Sequence, residues 1–201
     1  MSINVCNDRS MASITSLPSG VSGSSLVLIS EQTASSSATI DFTSDIDSTY
    51  KEYIFKFIDI HPATNGAELT FQSDTGTNTN YNQTITSTCF ETANDEADSA
   101  TFNSYNTNHD LAQSTSFQTL QLDVGNDNDQ SCTGTLHLFD PSNTTFVKHF
   151  ISTCHAYQKN DYSLTTRIAG YFNTTTAITR VRFKMSSGNI DAGTIKMYGV
   201  V

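Results

Sequence analysis

The chain has 201 residues, a formal charge of −10 at pH 7 and only 15% charged residues, with a pI near 4.6. A chain of this length buries about 70% of its unfolded surface, so one core can hold it without disulfides or metals, and one domain is expected. The acidity argues against a general nucleic-acid binder, which needs clustered Lys and Arg against phosphate. No run of 18 apolar residues offers a membrane-crossing helix.

Residues 1–23 differ from the rest of the chain: they lack sustained patterning and end in Leu17-Pro-Ser-Gly-Val-Ser-Gly23, where Pro and Gly punctuate rather than extend an element. They read as an N-terminal arm or linker, either a loose terminus or a segment that orders on a neighbouring subunit. Residues 24–201 read as the β domain. The opening Met1-Ser-Ile-Asn-Val-Cys-Asn-Asp8 has no basic region ahead of an apolar one, so no secretion signal is expected there.

Strand-like runs then recur between polar breaks, at 25–30, 37–42, 50–60, 68–73 and 83–90. The third is the strongest. Tyr53, Phe55 and Phe57 alternate with Ile54, Lys56, Ile58 and Ile60, so both faces are mainly apolar and the strand is expected inside a sheet. Pro62 ends it, having no N–H for the ladder, and residues 73–80 form a loop too polar to bury. Residues 91–111 sustain neither period: Glu91, Asp95, Glu96 and Asp98 cluster ahead of Phe102 and Tyr105, and the stretch reads as a long loop with one helical turn.

Strands resume at 117–124, 132–139, 145–155 and 164–172, and the chain closes on a hairpin of 177–185 and 194–201. Val181, Phe183 and Met185 alternate with Arg180, Arg182 and Lys184, giving one apolar and one cationic, solvated face. Eleven short segments, together with 30 Thr that fit a pleated surface and 26 Ser that suit turns, predict an all-β fold. The expected architecture is an antiparallel β-sandwich of jelly-roll type.

Chemistry is sparsely signalled. Cys6, Cys89, Cys132 and Cys154 form no C-x-x-C pair and read as reduced structural thiols, the last three within strands. Gly20-Val-Ser-Gly-Ser24 departs from the G-x-S-x-G elbow. Asp123-Val-Gly-Asn-Asp-Asn-Asp129 offers oxygen ligands for Ca²⁺ but lacks the Gly at position six and the acid at position twelve of an EF-hand, so it reads as a solvated turn. His149 and His155 share a strand face but stand about 20 Å apart, too far for one metal. The triplets at Asn82, Asn143 and Asn173 read as chance matches in a Ser/Thr/Asn-rich chain. No catalytic residue, cofactor or metal ligand is assigned.

Aromatic rings stack on sugar rings, and the chain has no Trp. The loop tyrosines Tyr81, Tyr105, Tyr157 and Tyr162 are therefore the candidate contacts for a glycan. A depolymerase, which needs paired carboxylates at a cleft, is the weakest alternative. Charge is uneven: residues 148–201 hold seven Lys/Arg against Asp161 and Asp191, whereas residues 1–147 hold three against eighteen acids. This reads either as complementary patches for identical copies packed side by side or as solvated strand faces.

Ser19–Ile29, Ala38–Ser44, Ile46–Tyr50, Tyr53–Pro62, Leu136–Pro141 and Ser187–Gly199 together resemble the virion structural proteins of marine tailed bacteriophages, including those of cyanobacteria. The likeness runs from about residue 17 to the end. It joins a T-I-D-F-type strand, Thr39-Ile-Asp-Phe42, to a closing G-x-I-x-x-G-x-I-x-x-Y-G signature from Gly188 to Gly199. Gly188 and Gly193 would supply turn conformations that other residues resist, and Ile195 and Met197 the buried face of the last strand. The resemblance implies a non-enzymatic particle protein, a capsid decoration or tail-fibre type subunit. It would assemble in the host cytoplasm and stand on the particle exterior, held to other virion proteins as a homo-oligomer, with a trimer among the open symmetries. A receptor-binding adhesin for host-surface glycan is the alternative. Neither nucleic-acid binding nor membrane insertion is implied, and no catalytic residue is carried over.

Overall fold

Alternating polarity along the chain becomes a run of antiparallel strands. The computed structural model describes residues 25–201, so the expected arm at 1–23 and Cys6 lie outside the described residues. The strands are β1 (Leu26–Thr33), β2 (Ile40–Phe42), β3 (Glu52–Pro62), β4 (Ala67–Thr75), β5 (Ile85–Asp95), β6 (Thr101–Tyr105), β7 (Gln118–Val124), β8 (Cys132–Phe139), β9 (Lys148–Gln158), β10 (Tyr162–Phe172), β11 (Ile178–Met185) and β12 (Ile190–Val200). The described residues contain no helix.

A hydrogen-bonded path runs β1-β12-β3-β8-β9-β7-β4-β11-β2, a nearly closed, barrel-like sheet with β1 and β2 at its open ends. The β9–β7 link is one pair, Val124 with Gln158, the narrowest on the path. From β9 a branch continues through β10 and β5 to β6. The pairings nest along the chain: β1 with β12, β2 with β11, β3 with β8 and β4 with β7. One long hairpin, rolled up, gives this order, and β5–β6 and β9–β10 are additions to it.

Aromatic rings lock the roll. Phe183 on β11 lies 5.3 Å from both Phe55 and Phe57 on β3 and 6.2 Å from Phe42 on β2. Phe71 on β4 lies 5.0 Å from Phe150 on β9 and 5.8 Å from Phe172 on β10. These contacts are edge-to-face, the arrangement the ring quadrupole favours. As expected, β3 is an interior strand, between β12 and β8, with Tyr53, Phe55 and Phe57 buried.

Ile60 breaks the expected alternation. The register of β3 shifts between Phe57 and Ile60, and Asp59 has φ 50°. An inserted residue turns Ile60 into the core while Ile58 is left 39% exposed. On β12 the register shifts twice around Ala192, and Gly193 has φ 111° against the backbone of Asp59. Gly188, with φ 69°, turns the β11–β12 loop as expected, whereas Gly193 serves a bulge inside β12 rather than the turn expected of it.

The segment 91–111 corrects the expected loop with a helical turn: it is a β-hairpin. β5 continues to Asp95 and β6 pairs back along it. The carboxylate of Asp95 accepts bonds from the backbone N–H of Ser99 and Ala100 and from the Ser99 hydroxyl, closing the connection. The acidic cluster thus marked a turn, because Asp side chains mimic backbone acceptors.

A second layer of loop covers β4, which is buried on both faces. Gln72 donates to the carbonyls of Gln83, Thr115 and Ser116, and Glu68 takes His109 Nε2 at 3.0 Å and the Thr119 hydroxyl at 2.7 Å. Glu68 raises the pKa of His109 above its ordinary 6.5, against the opposing effect of burial. Burial pushes Glu68 up, but the bonds from His109 and Thr119 outweigh it and its pKa falls below 4.5.

The signs then fix a pH window. Stability from His109 is fully present below about 6.5 and is lost as pH rises through its raised folded value; that from Glu68 is present above about 4.5 and is lost as pH falls through its lowered one. His109→Gln is therefore expected to cost most between pH 4.5 and 6.5, by up to ~1 kcal/mol for a partly exposed pair, and least once the pH has passed the raised folded value of His109. Urea midpoints of both proteins across pH 4–9 measure it; a pH-independent difference would remove the ion pair from the account.

Candidate functional site

The β5–β6 and β9–β10 hairpins together build a shallow trough on the outer face of the sheet. Opposite residues of antiparallel strands point to the same face, and the registers give two rows. One is Thr101, Asn94, Ser163 and Tyr157; the other is Asn103, Thr92, Thr165 and His155. Two hollows of ≈ 580 and ≈ 430 Å³ lie along these rows and share Asn94 and Ser163. Short Ser, Thr and Asn side chains form the floor beside the ring of Tyr157; Phe102, opposite Ala93, and Tyr162, opposite Gln158 and packed against the core, border the hollows from the other face of the sheet.

Part of the trough is held in place from within. His155 Nε2 and the Ser163 hydroxyl are 2.9 Å apart, and the Tyr157 hydroxyl donates to Asp161 at 3.3 Å. A hydrogen bond to Glu96, then burial and the charge of Asp161, push the Tyr157 phenol up to about 12, so it remains a neutral donor at all ordinary pH. Asp95, Glu96 and Asp98 rim one end, and no Lys or Arg lines either hollow.

Of the four tyrosines named from the sequence, Tyr157 points into the trough, whereas Tyr162, opposite Gln158, turns to the other face and packs against the core. Tyr105 stands on β6 against Phe90, with its hydroxyl donating to Asp110 at 2.6 Å. Tyr81 is buried and does not reach the surface: the guanidinium of Arg182 lies 4.0 Å over its ring. Arg182 also forms a bidentate pair with Asp41, Nε at 2.7 Å and Nη2 at 2.6 Å. The cationic face of β11 is therefore half-covered, its Arg180, Arg182 and Lys184 all partly exposed, with Lys184 over the ring of Phe117.

The same pairing takes up much of the charge asymmetry inside one chain. Arg182 meets Asp41, Lys159 meets Asp123 and Lys196 meets Glu31. Lys148 is buried, donating to the carbonyls of Phe146 and Thr174. Asp123, first residue of the loop weighed for calcium, faces the Lys159 ammonium at 2.7 Å. Among the described residues no group of three or more His, Cys, Asp or Glu is arranged to hold a metal ion.

Cys89, Cys132 and Cys154 are free and buried within β5, β8 and β9. Burial pushes Cys89 and Cys154 up to about 12, so their thiolates do not form near neutral pH. The floor residues Asn94, Ser163 and Thr165 were not singled out from the sequence, since their alternation with Ala93 and Leu164 marks an outward face but not a hollow. Comparison with known proteins finds no matching family model, no matching curated protein and no matching solved structure.

Proposed function

We propose that the chain is a structural component of a bacteriophage particle, displayed on the exterior as a capsid decoration or tail-fibre type subunit and not itself an enzyme. The observation that carries this reading is the nested pairing of β1–β12, β2–β11, β3–β8 and β4–β7. Taken as two layers, β1-β12-β3-β8 and β2-β11-β4-β7, it has the strand order of a jelly roll, an architecture that viral capsid and lectin domains use. A fold alone does not assign a role. The resemblance running from about residue 17 to the C-terminus points the same way, and it supplies the particle.

Mass spectrometry of purified particles tests the proposal: the chain is expected in intact virions at a fixed copy number, and its absence would end this reading.

The trough favours one second reading, an adhesin for glycan. The Tyr157 ring beside hydroxyl and amide groups suits a sugar, and a rim of three carboxylates without a lining cation disfavours sulfated or uronic chains. Tyr157→Ala is expected to weaken binding to a neutral glycan by about tenfold. Titration against panels of neutral and anionic oligosaccharides measures it. Equal or better binding of the anionic panel would sink the charge argument.

A further inference from the structure

The outermost strand, β6, lacks the usual protection of a sheet edge. Its five residues, Thr101-Phe-Asn-Ser-Tyr105, are all exposed and include no charge and no Pro, and its register against β5 is unbroken. Charges, Pro and bulges are the devices by which edges avoid pairing with other strands. The other open edges have protection: β1 carries Glu31 and a register shift between Leu28 and Ser30, and β2 is three residues long.

The ladder fixes which groups are unmet. Asp95 N–H donates to Ala100 O, and Asn106 N–H to Cys89 O. Antiparallel pairs alternate between bonded and non-bonded, so with this register Phe102 and Ser104 bond β5. The N–H and C=O of Thr101, Asn103 and Tyr105 then point away from the sheet, and β6 has no second neighbour among the described strands.

We propose that β6 pairs antiparallel with β6 of a second copy, across a two-fold axis centred on Asn103. Asn103 then exchanges both bonds with its own equivalent, and Thr101 with Tyr105 of the partner copy, so every outward N–H and C=O is met. A two-fold contact requires a self-complementary patch, and this strand is one: small or aromatic side chains face each other and no like charges meet. Neutrality matters because each copy carries −10, so an acidic edge would repel its equivalent. Phe90, Phe102 and Tyr105, 49%, 42% and 41% exposed, gather at this edge and lose water on pairing. The pairing also sets two troughs side by side, since Thr101, Phe102 and Asn103 line one hollow.

The pairing gives a contact to the homo-oligomer that the resemblance implies, and it does not rest on location in a particle. Sedimentation equilibrium of the full chain is expected to show a concentration-dependent dimer. Asn103→Pro is expected to weaken it at least tenfold, with circular dichroism unchanged and melting unchanged at concentrations where both proteins are monomeric, because that N–H does not bond β5. Ser104→Pro, which removes a β5 bond, is expected to lower the melting temperature instead. Should Asn103→Pro fold poorly, Asn103→Lys sets two ammonium groups against each other and is expected to weaken the dimer likewise.

Asn103→Cys is expected to give an oxidised dimer bridged 103 to 103, since a bonded pair has Cα atoms about 5.5 Å apart. A wild-type chain that remains monomeric, or a dimer indifferent to Pro and Lys at 103, would overturn the pairing. Absence of the chain from particles bears on the particle reading alone, and a monomer bears on this pairing alone.

Discussion

Phe183→Ala is expected to lower the free energy of unfolding by ~3–5 kcal/mol, the cost of deleting a buried ring and leaving a cavity that its neighbours fill only in part. Phe183 is fully buried and touches Phe42, Phe55, Phe57 and Phe71, so its loss loosens β2, β3 and β4 together. Against a typical domain stability of ~5–15 kcal/mol this is a large share. Urea denaturation at pH 7 is the measurement, with Phe146→Ala as the comparison. Phe146 is 68% exposed, and its substitution is expected to change stability by no more than ~0.5 kcal/mol. Similar midpoint shifts for the two would mean that the aromatic cluster does not organise the roll.

Gly193→Ala is the second large effect. At φ 111° an L side chain is strained, and a Cβ would stand 2.5 Å from Asp59 O and 2.7 Å from Ile60 Cα. Backbone strain alone costs ~1–3 kcal/mol, and the clash is with backbone that a rotamer change cannot move. Relief requires shifting the β3 bulge, which holds Ile60 in the core. The substitution is expected to reduce soluble yield or lower the urea midpoint by more than strain alone predicts. Gly76→Ala is the control. Its φ of 57° imposes strain, but nothing lies within 4 Å of its Cβ position. Equal effects at the two glycines would show that strain, and not the meeting of bulges, sets the cost.

The candidate trough was half legible. Tyr157 and Tyr162 read from the sequence as loop aromatics, whereas the fold places them at the facing ends of β9 and β10, a hairpin of local sequence that turns only Tyr157 into the trough. The extension of β5 through 91–95 and the whole of β6 were not legible. In 91–111 the acids Asp95, Glu96 and Asp98 obscured the period of two, and Thr101–Tyr105 is too short and too polar to signal a strand by hydrophobicity. β6 exists because β5 offers it a ladder, a condition that no window of five residues contains.

The sequence by itself determined the class of fold and the inner face of its strongest strands. Alternation is local: Tyr53, Phe55, Phe57, Val181, Phe183 and Met185 are all buried where period two puts them. Tertiary structure alone decided which outward side chains meet water. Tyr81 reads as a loop aromatic, yet it lies beneath Arg182, which is itself held by Asp41, 141 positions away. Ile60 reads as sharing a face with Ile58, opposite Phe57, yet a bulge matched to Gly193 turns it into the core and leaves Ile58 exposed. Side-chain period is set between neighbours in the chain, whereas cover, charge pairing and bulge register are set between strands distant in it.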